Sequence, residues 1–121
     1  MIKGLGNDLV EIERIRQSIQ KHGSRFLDKV FTPKEQTYCL SYNDNAPRFA
    51  GRFSAKEAVV KALGTGFGKE VSFLDVEIIN NELGKPVCTL SSSVMLRFED
   101  PEILITITHS KEFAAAVALW Q

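Results

Sequence analysis

The chain has 121 residues, and no repeat or linker divides it, so we expect a single domain over residues 1–121. Fifteen basic and fifteen acidic side chains cancel, which excludes the global positive field that attracts nucleic acid or anionic membranes. No apolar run approaches membrane-spanning length, and the two cysteines lack metal-ligand spacing. These features are typical of a soluble cytoplasmic protein with reduced thiols.

The predicted elements follow from the spacing of apolar residues, which is three and four in helices and two in strands. In chain order they are strand 2–10, helix 11–22, a short turn at 24–30, helix 32–40, helix 47–63, strands 71–79 and 87–90, helix 91–98, and strands 103–108 and 113–120. This order predicts an α+β domain with a mainly antiparallel sheet and a long central helix. In the first strand, Gly4 and Gly6 would let another backbone come close.

The helix over residues 47–63 carries a concentrated pattern of charge. A projection at ~100° per residue puts Arg48 and Arg52 on one border of its apolar stripe, and Glu57 and Lys61 on the opposite border. Lys56 falls inside the stripe, where a plain surface helix would not place a lysine. Taken alone, the pattern is also typical of an amphipathic helix with a Glu–Lys surface pair.

This helix runs into the glycine-rich loop Gly64-Thr65-Gly66. Glycines let backbone N–H groups approach phosphate oxygens, and nearby cations supply charge. The loop matches neither the Walker pattern nor the dinucleotide fingerprint, and as a helix C-cap it needs no ligand. Together with the basic residues of the helix, it indicates a polyphosphate ligand.

Three further features each have two interpretations. Asp8 is typical of a helix cap, but with Glu57 it would give two oxygen ligands for Mg²⁺, which fills its other positions with water and phosphate. His109, near a predicted hairpin tip, is either a polar turn residue or a ligand contact. A basic face on the first helix is either solvated or receives an acidic partner helix. Its members are Arg14, Lys21 and Arg25.

Four segments resemble the holo-(acyl carrier protein) synthase family, the small type of phosphopantetheinyl transferase. They are GLGNDLVEI at 4–12, RFAGRFSAKEAVVKALGTG at 48–66, NELGKP at 81–86 and ITHS at 107–110. The second is similar to the family's signature Arg-x-Ala-x-Arg-x-x-x-Lys-Glu-Ala-x-x-Lys-Ala and is the most specific. The likeness covers nearly the whole chain. Asn7 departs from it, since the family more often has a small or aliphatic residue there.

The resemblance implies a homotrimer that binds coenzyme A between subunits and uses Mg²⁺ to transfer the 4′-phosphopantetheine arm to a serine of an acyl carrier protein, a step in fatty acid biosynthesis. On that resemblance, Asp8 and Glu57 hold the metal and Lys61 neutralises the leaving group. Glu57 or its water is the expected general base, with Glu35 as the alternative. Contacts to coenzyme A are implied for Arg48, Arg52, Lys61, Gly64, Thr65, Gly66, Asn81, Pro86 and His109.

Two other functional classes would use the same residues. A magnesium-dependent hydrolase of nucleotides or pyrophosphates would direct the cations and carboxylates at water. A non-catalytic trimeric module would bind coenzyme A and turn nothing over. Product analysis separates the three classes, because transfer alone adds mass to a carrier protein.

Overall fold

The computed structural model describes all 121 residues and forms an α+β domain, as the sequence predicts. Its elements, in chain order, are β1 (Gly4–Glu11), α1 (Ile12–His22), α2 (Ser24–Val30), α3 (Pro33–Leu40), α4 (Ala46–Leu63), β2 (Val76–Asn80), β3 (Pro86–Leu90), α5 (Ser92–Arg97), β4 (Ile103–His109) and β5 (Phe113–Trp120). None of the five helices has the length and apolar composition needed to cross a lipid bilayer.

The strands form two antiparallel sheets. One has three strands in the order β1-β5-β4, and the other is the hairpin of β2 and β3. In the larger sheet, alternation along each strand turns one face toward α4 and leaves the other face uncovered. The register places Leu5 opposite Leu119 and Asn7 opposite Val117, so side chains of neighbouring strands share that uncovered face.

Helix α4 lies at the centre of the fold, with thirteen of its eighteen residues buried. It packs closely on β1 because that strand carries glycines. A Cβ on Gly4 would lie 1.9 Å from the carbonyl oxygen of Ala62, and one on Gly6 would lie 2.1 Å from the carbonyl oxygen of Ala58. The predicted close approach is confirmed, and the approaching backbone is α4. The interpretation of α4 as a surface helix is wrong, because other elements cover most of its circumference.

Lys56 of α4 is completely buried and paired with Glu35 of α3. Its Nζ lies 2.6 Å from a carboxylate oxygen of Glu35, and both side chains are 0% exposed. The ammonium also donates to the carbonyl oxygens of Val30 at 2.7 Å and Phe73 at 3.0 Å. The second oxygen of Glu35 accepts the Ile78 N–H at 2.7 Å. This network joins α3, α4 and β2.

The segment 24–30 is a helix, α2, where the sequence predicts a turn. Leu27 and Val30 are buried in the core beside α1 and α4. Seven residues are too few for a stable isolated helix, so tertiary packing supplies what local sequence does not.

The strand predicted to start at Val71 begins five residues later, at Val76. Residues Phe73–Asp75 form a 3-10 turn, which a capping box at Ser72 closes. Leu74, predicted on the buried face of a strand, is therefore exposed. Alternation of apolar residues cannot distinguish a strand from such a turn at its entrance.

Candidate functional site

The first charged cleft lies where β1, α1, α2 and α4 meet. Asp8, from β1, and Glu57, from α4, both line it although they are remote in sequence. Arg14 and Ser18 of α1 lie beside them, and Phe26 forms part of the apolar wall. The cleft, called the carboxylate cleft below, thus brings together the two carboxylates for which the sequence suggests a metal role.

Asp8 is held in place from α4. Alternation along β1 turns the side chains of even-numbered residues toward that helix, and the Asp8 side chain is 16% exposed. The Ser54 hydroxyl donates to the Asp8 carbonyl oxygen at 2.9 Å. The Lys61 ammonium donates to the Asn7 carbonyl oxygen at 3.0 Å and to the Asp8 carboxylate at 3.2 Å. Lys61 therefore stands beside the carboxylates, one turn of α4 beyond Glu57.

The electrostatics of this cleft suit a divalent cation. Burial raises the pKa of Glu57, the negative charge of Asp8 raises it further, and Lys61 opposes both. Repulsion between the two carboxylates is thus only partly relieved by the protein. No group of three or more His, Cys, Asp or Glu side chains surrounds the cleft. Two carboxylates with room for water and phosphate match the donor set that Mg²⁺ takes in enzymes.

The second charged cleft lies between α4, the β2–β3 turn and the end of β4. Its lining residues are Arg48, Arg52, Asn80, Gly84, Pro86, Ile107 and His109. Arg52 is only 2% exposed and donates through Nη2 to the Asn80 side-chain oxygen at 2.6 Å. Its Nε is buried without a hydrogen-bond partner. No carboxylate lies within 4 Å of Arg48 or Arg52, so this cleft keeps a net positive charge. It is called the arginine cleft below.

His109 ends β4 against the first turn of α4. Its Nε2 lies 3.0 Å from the carbonyl oxygen of Pro47, an acceptor that selects the tautomer with hydrogen on Nε2. A Cβ on Gly51 would lie 2.6 Å from that nitrogen, so glycine makes room for the ring. Burial lowers the pKa of His109, the contact with Pro47 opposes this, and the charges of Arg48 and Arg52 lower it further. These effects together favour the neutral form of the ring.

The two clefts lie on different sides of α4. Arg48 and Glu57 are nine positions apart, which at ~100° per residue is about half a turn around the helix axis. The residues that the sequence groups as one site are thus divided between two clefts of the same subunit. The carboxylate cleft holds the two acidic residues, and the arginine cleft holds the two arginines and His109.

Comparison with known proteins places this chain in a family. The sequence model of the 4′-phosphopantetheinyl transferase superfamily matches residues 4–118. The chain belongs to this superfamily. The resemblance seen in the sequence is confirmed.

Relatives within the superfamily cover almost the whole chain. The holo-(acyl carrier protein) synthase of Protochlamydia amoebophila is 52% identical over 120 residues, covering 99% of this chain and 98% of the relative. The crystal structure of the Helicobacter pylori synthase in complex with coenzyme A has a TM-score of 0.90 at 36% identity, and covers 97% of this chain and 99% of its own. The Neisseria meningitidis synthase has a TM-score of 0.92 at 29% identity, covering 100% and 99%.

The glycine-rich loop of this transferase-superfamily chain ends α4. The N–H groups of Gly64, Thr65 and Gly66 point at the carbonyl oxygen of Val60, at 3.0, 3.1 and 3.4 Å. Gly64 has φ +82°, which is the left-handed conformation of a helix C-cap. The C-cap interpretation is confirmed, because the Val60 carbonyl oxygen accepts all three N–H groups. Their contact with phosphate stays a prediction. The Thr65 hydroxyl is buried without a partner, and its contact with a ligand stays a prediction.

Two other expectations change with the structure. The Asn81 side-chain oxygen accepts the N–H groups of Leu83 at 2.9 Å and Lys85 at 3.0 Å, so Asn81 shapes the β2–β3 turn. Asn80, one residue earlier, lines the arginine cleft, and the contact of Asn81 with coenzyme A stays a prediction. Glu35 is sealed in its pair with Lys56 at 0% exposure and cannot reach a substrate as general base.

Three residues in or beside the arginine cleft escaped the sequence interpretation. Asn80 lines the cleft, and Tyr38 and Tyr42 lie against its two arginines. Tyr38 belongs to α3, and Tyr42 lies two residues beyond the end of that helix. No spacing in the sequence indicates these contacts, because they depend on how α3 and the turn after it pack against α4.

Proposed function

We propose that this chain transfers the 4′-phosphopantetheine arm of coenzyme A to a serine of an apo-acyl carrier protein, with Mg²⁺ as cofactor. The observation that carries the proposal is the meeting of Asp8 and Glu57 in one cleft, with the Lys61 ammonium bonded to Asp8 beside it. The names of the relatives, and coenzyme A in the Helicobacter pylori complex, support the same reaction.

The chemistry is a phosphoryl transfer, which depends on positioning and on neutralising charge. The serine oxygen attacks the phosphorus that carries the pantetheine arm, and the bond to the bridging oxygen of the diphosphate breaks. The leaving group is 3′,5′-ADP. Mg²⁺, held by Asp8 and Glu57, would supply charge neutralisation at the diphosphate.

Protein groups supply the remaining functions. Lys61 neutralises charge on the departing phosphate, since its ammonium lies beside Asp8 and its side chain is 51% exposed. Glu57, or a water molecule beside it, takes the serine proton.

The arginine cleft would take the other phosphate of coenzyme A, the 3′-phosphate monoester. Arg48 and Arg52 offer charge that no carboxylate cancels, and neutral His109 offers a ring edge beside them. In coenzyme A only one ribose separates the 3′-phosphate from the diphosphate, whereas the two clefts lie on different sides of α4. One ligand therefore spans the carboxylate cleft of one subunit and the arginine cleft of another.

This division requires self-association, which we propose is the homotrimer that the family resemblance implies. The uncovered face of the three-stranded sheet supports it. Large apolar side chains of this face are exposed in the single subunit, namely Leu5, Leu9, Leu104, Phe113 and Val117. Apolar surface of this kind marks an interface.

The acceptor protein would dock on α1 and α2. Arg14 lines the carboxylate cleft, and Arg25 and Lys29 line a neighbouring depression with His22. These cations stand beside the proposed reaction centre and suit an acidic partner helix. The predicted basic face is broken at Gly23, where α1 ends and α2 begins.

Incubation with coenzyme A, Mg²⁺ and an apo-carrier protein tests the function. Intact mass spectrometry is expected to show one phosphopantetheine added to the carrier, with 3′,5′-ADP released. Phosphate release with an unmodified carrier would instead support a hydrolase. Binding of coenzyme A without turnover would support a binding module.

Glu57→Gln is the informative variant because it keeps the shape of the side chain and removes its charge. We expect it to abolish magnesium-dependent transfer without changing the melting temperature. Glu112→Gln, at an exposed position outside both clefts, is the matched control and should retain full activity. Full activity in Glu57→Gln would remove Glu57 from the mechanism.

A further inference from the structure

Tyr38 of α3 and Tyr42, two residues beyond the end of α3, place their rings against the two arginines of α4. The Cζ of Arg48 is 4.2 Å from the centroid of the Tyr42 ring, and the Cζ of Arg52 is 4.4 Å from that of Tyr38. The tyrosine hydroxyls are 3.3 Å apart, and the Asn80 amide nitrogen is 3.3 Å from the Tyr38 hydroxyl. The arginines are thus restrained by rings and an amide, all of them neutral.

The choice of neutral neighbours has an electrostatic consequence. A carboxylate would hold an arginine firmly, but it would cancel the charge that an anionic ligand needs. An aromatic face attracts a guanidinium and leaves its net charge in place. Its hydrogen-bond donors, which point outward in the plane of the group, also stay available. Arg52 fits this description, because its Nε is buried and has no partner in the protein.

We propose that Tyr38 and Tyr42 are positioning residues for the phosphate monoester of the substrate. They hold the guanidinium planes of Arg52 and Arg48 at the cleft and do not compete with the ligand for their charge. This inference rests on the proposed function, in which that monoester is the 3′-phosphate of coenzyme A. It adds one residue of α3 and one from the turn after that helix to the recognition of the ligand, and both act through the arginines.

A purely structural role would give different behaviour. If the tyrosines only packed α3 against α4, their removal would lower stability and affect all ligands equally. If they position the arginines, their removal affects ligands with a 3′-phosphate and spares those without one. Tyr42 is the better residue to change, because it is 38% exposed and its loss leaves little cavity.

The experiment compares Tyr42→Ala, Tyr42→Phe and the matched control Leu40→Ala with the wild type. Leu40, the last residue of α3, is exposed, lies two positions before Tyr42 and does not line the arginine cleft. Calorimetry gives Kd for coenzyme A and for dephospho-coenzyme A, and steady-state transfer gives KM and kcat. Melting temperatures establish that each variant is folded.

We expect Tyr42→Ala to weaken coenzyme A binding about two- to fivefold, the range of an exposed cation–π contact. KM should rise with it, while kcat and the affinity for dephospho-coenzyme A stay at wild-type values. Tyr42→Phe keeps the ring and should keep the wild-type ratio of the two affinities, as should Leu40→Ala.

The inference would be overturned if Tyr42→Ala lost affinity equally for both ligands, which leaves the ratio of the two affinities unchanged. A Tyr42→Phe variant that binds coenzyme A as weakly as Tyr42→Ala would also overturn it. So would a wild-type protein that does not distinguish the two ligands. The proposed function fails on a separate result, which is a wild-type protein that binds coenzyme A but adds no mass to the carrier.

Discussion

Lys56 and Arg52 are both buried cations of α4, yet the protein compensates them differently. Lys56 is neutralised by Glu35 and by two backbone carbonyl oxygens. Arg52 has an aromatic ring and an amide for neighbours, and no carboxylate. The charge of Lys56 is therefore cancelled within the fold, whereas the charge of Arg52 remains for a ligand. Environment, more than residue type, assigns the two cations their roles.

The positive field of the arginine cleft can be measured at His109. Burial lowers the pKa of this histidine, and Arg48 is one of the two cations that lower it further. Replacing Arg48 with Gln removes a positive charge that disfavours the imidazolium, so the pKa of His109 should rise. NMR titration of the imidazole checks this. Arg14→Gln, which removes a cation from the other cleft, should leave the pKa unchanged; a rise of equal size there would refute the assignment.

At the scale of elements, the contact between β1 and α4 determines where the carboxylates meet. Both Asp8 and Glu57 belong to this pair of elements, and the glycines of β1 set how closely they approach. Gly6→Ala would put a methyl group 2.1 Å from the Ala58 carbonyl oxygen and 2.7 Å from the Ala62 nitrogen. Strand and helix would then have to separate.

We expect Gly6→Ala to reduce the free energy of unfolding by about 3 kcal/mol, at the upper end of the usual cost of overpacking. Gly68→Ala is the control, since nothing lies within 4 Å of a Cβ added at Gly68. Urea denaturation of the two variants measures the difference. Equal stabilities would show that β1 and α4 do not need the glycine.

The buried pair of Glu35 and Lys56 gives a second prediction at this scale. Lys56→Met leaves the carboxylate buried without its cation and should cost about 3–5 kcal/mol of unfolding free energy. Adding Glu35→Gln removes the uncompensated charge, so the double variant should be more stable than Lys56→Met alone. Urea denaturation of the single and double variants completes the cycle. A double variant that shows the sum of the two single losses would contradict coupling between them.

The sequence predicts elements better than it predicts how they are combined. The helix from Ala46 to Leu63 was predictable from its spacing, but its burial was not, because a projection assumes one face in water. Lys56 inside the apolar stripe was the sign of a second covered face. The place of Asn80 in the arginine cleft was missed for a similar reason, since spacing alone does not reveal which of two adjacent amides closes a turn.

The candidate site shows the same limit. Glu57 and Lys61 share one helix border in the projection, and the structure places both beside Asp8. The stacking of Tyr38 on Arg52 could not be predicted, because it depends on how α3 packs against α4. The projection already puts Arg48 and Arg52 on the border opposite Glu57 and Lys61, but it does not show which elements complete each cleft.

At the scale of the whole molecule, the proposed function makes self-association part of the mechanism. In that proposal, each subunit would contribute a carboxylate cleft to one ligand and an arginine cleft to another. Defects in the two clefts should therefore complement each other when two variants are mixed, whereas two defects in the same cleft should not.

The most direct measurement is transfer activity after subunit mixing. Glu57→Gln and Arg48→Glu, each inactive alone, are unfolded in urea, mixed in equal amounts and refolded, and carrier modification is followed by intact mass. Random assembly gives about a quarter of interfaces with both clefts intact, so we expect about that fraction of wild-type activity. Glu57→Gln mixed with Asp8→Asn should stay inactive. A Glu57→Gln and Arg48→Glu mixture that remains inactive, in oligomers shown to contain both variants, would contradict a site shared between subunits.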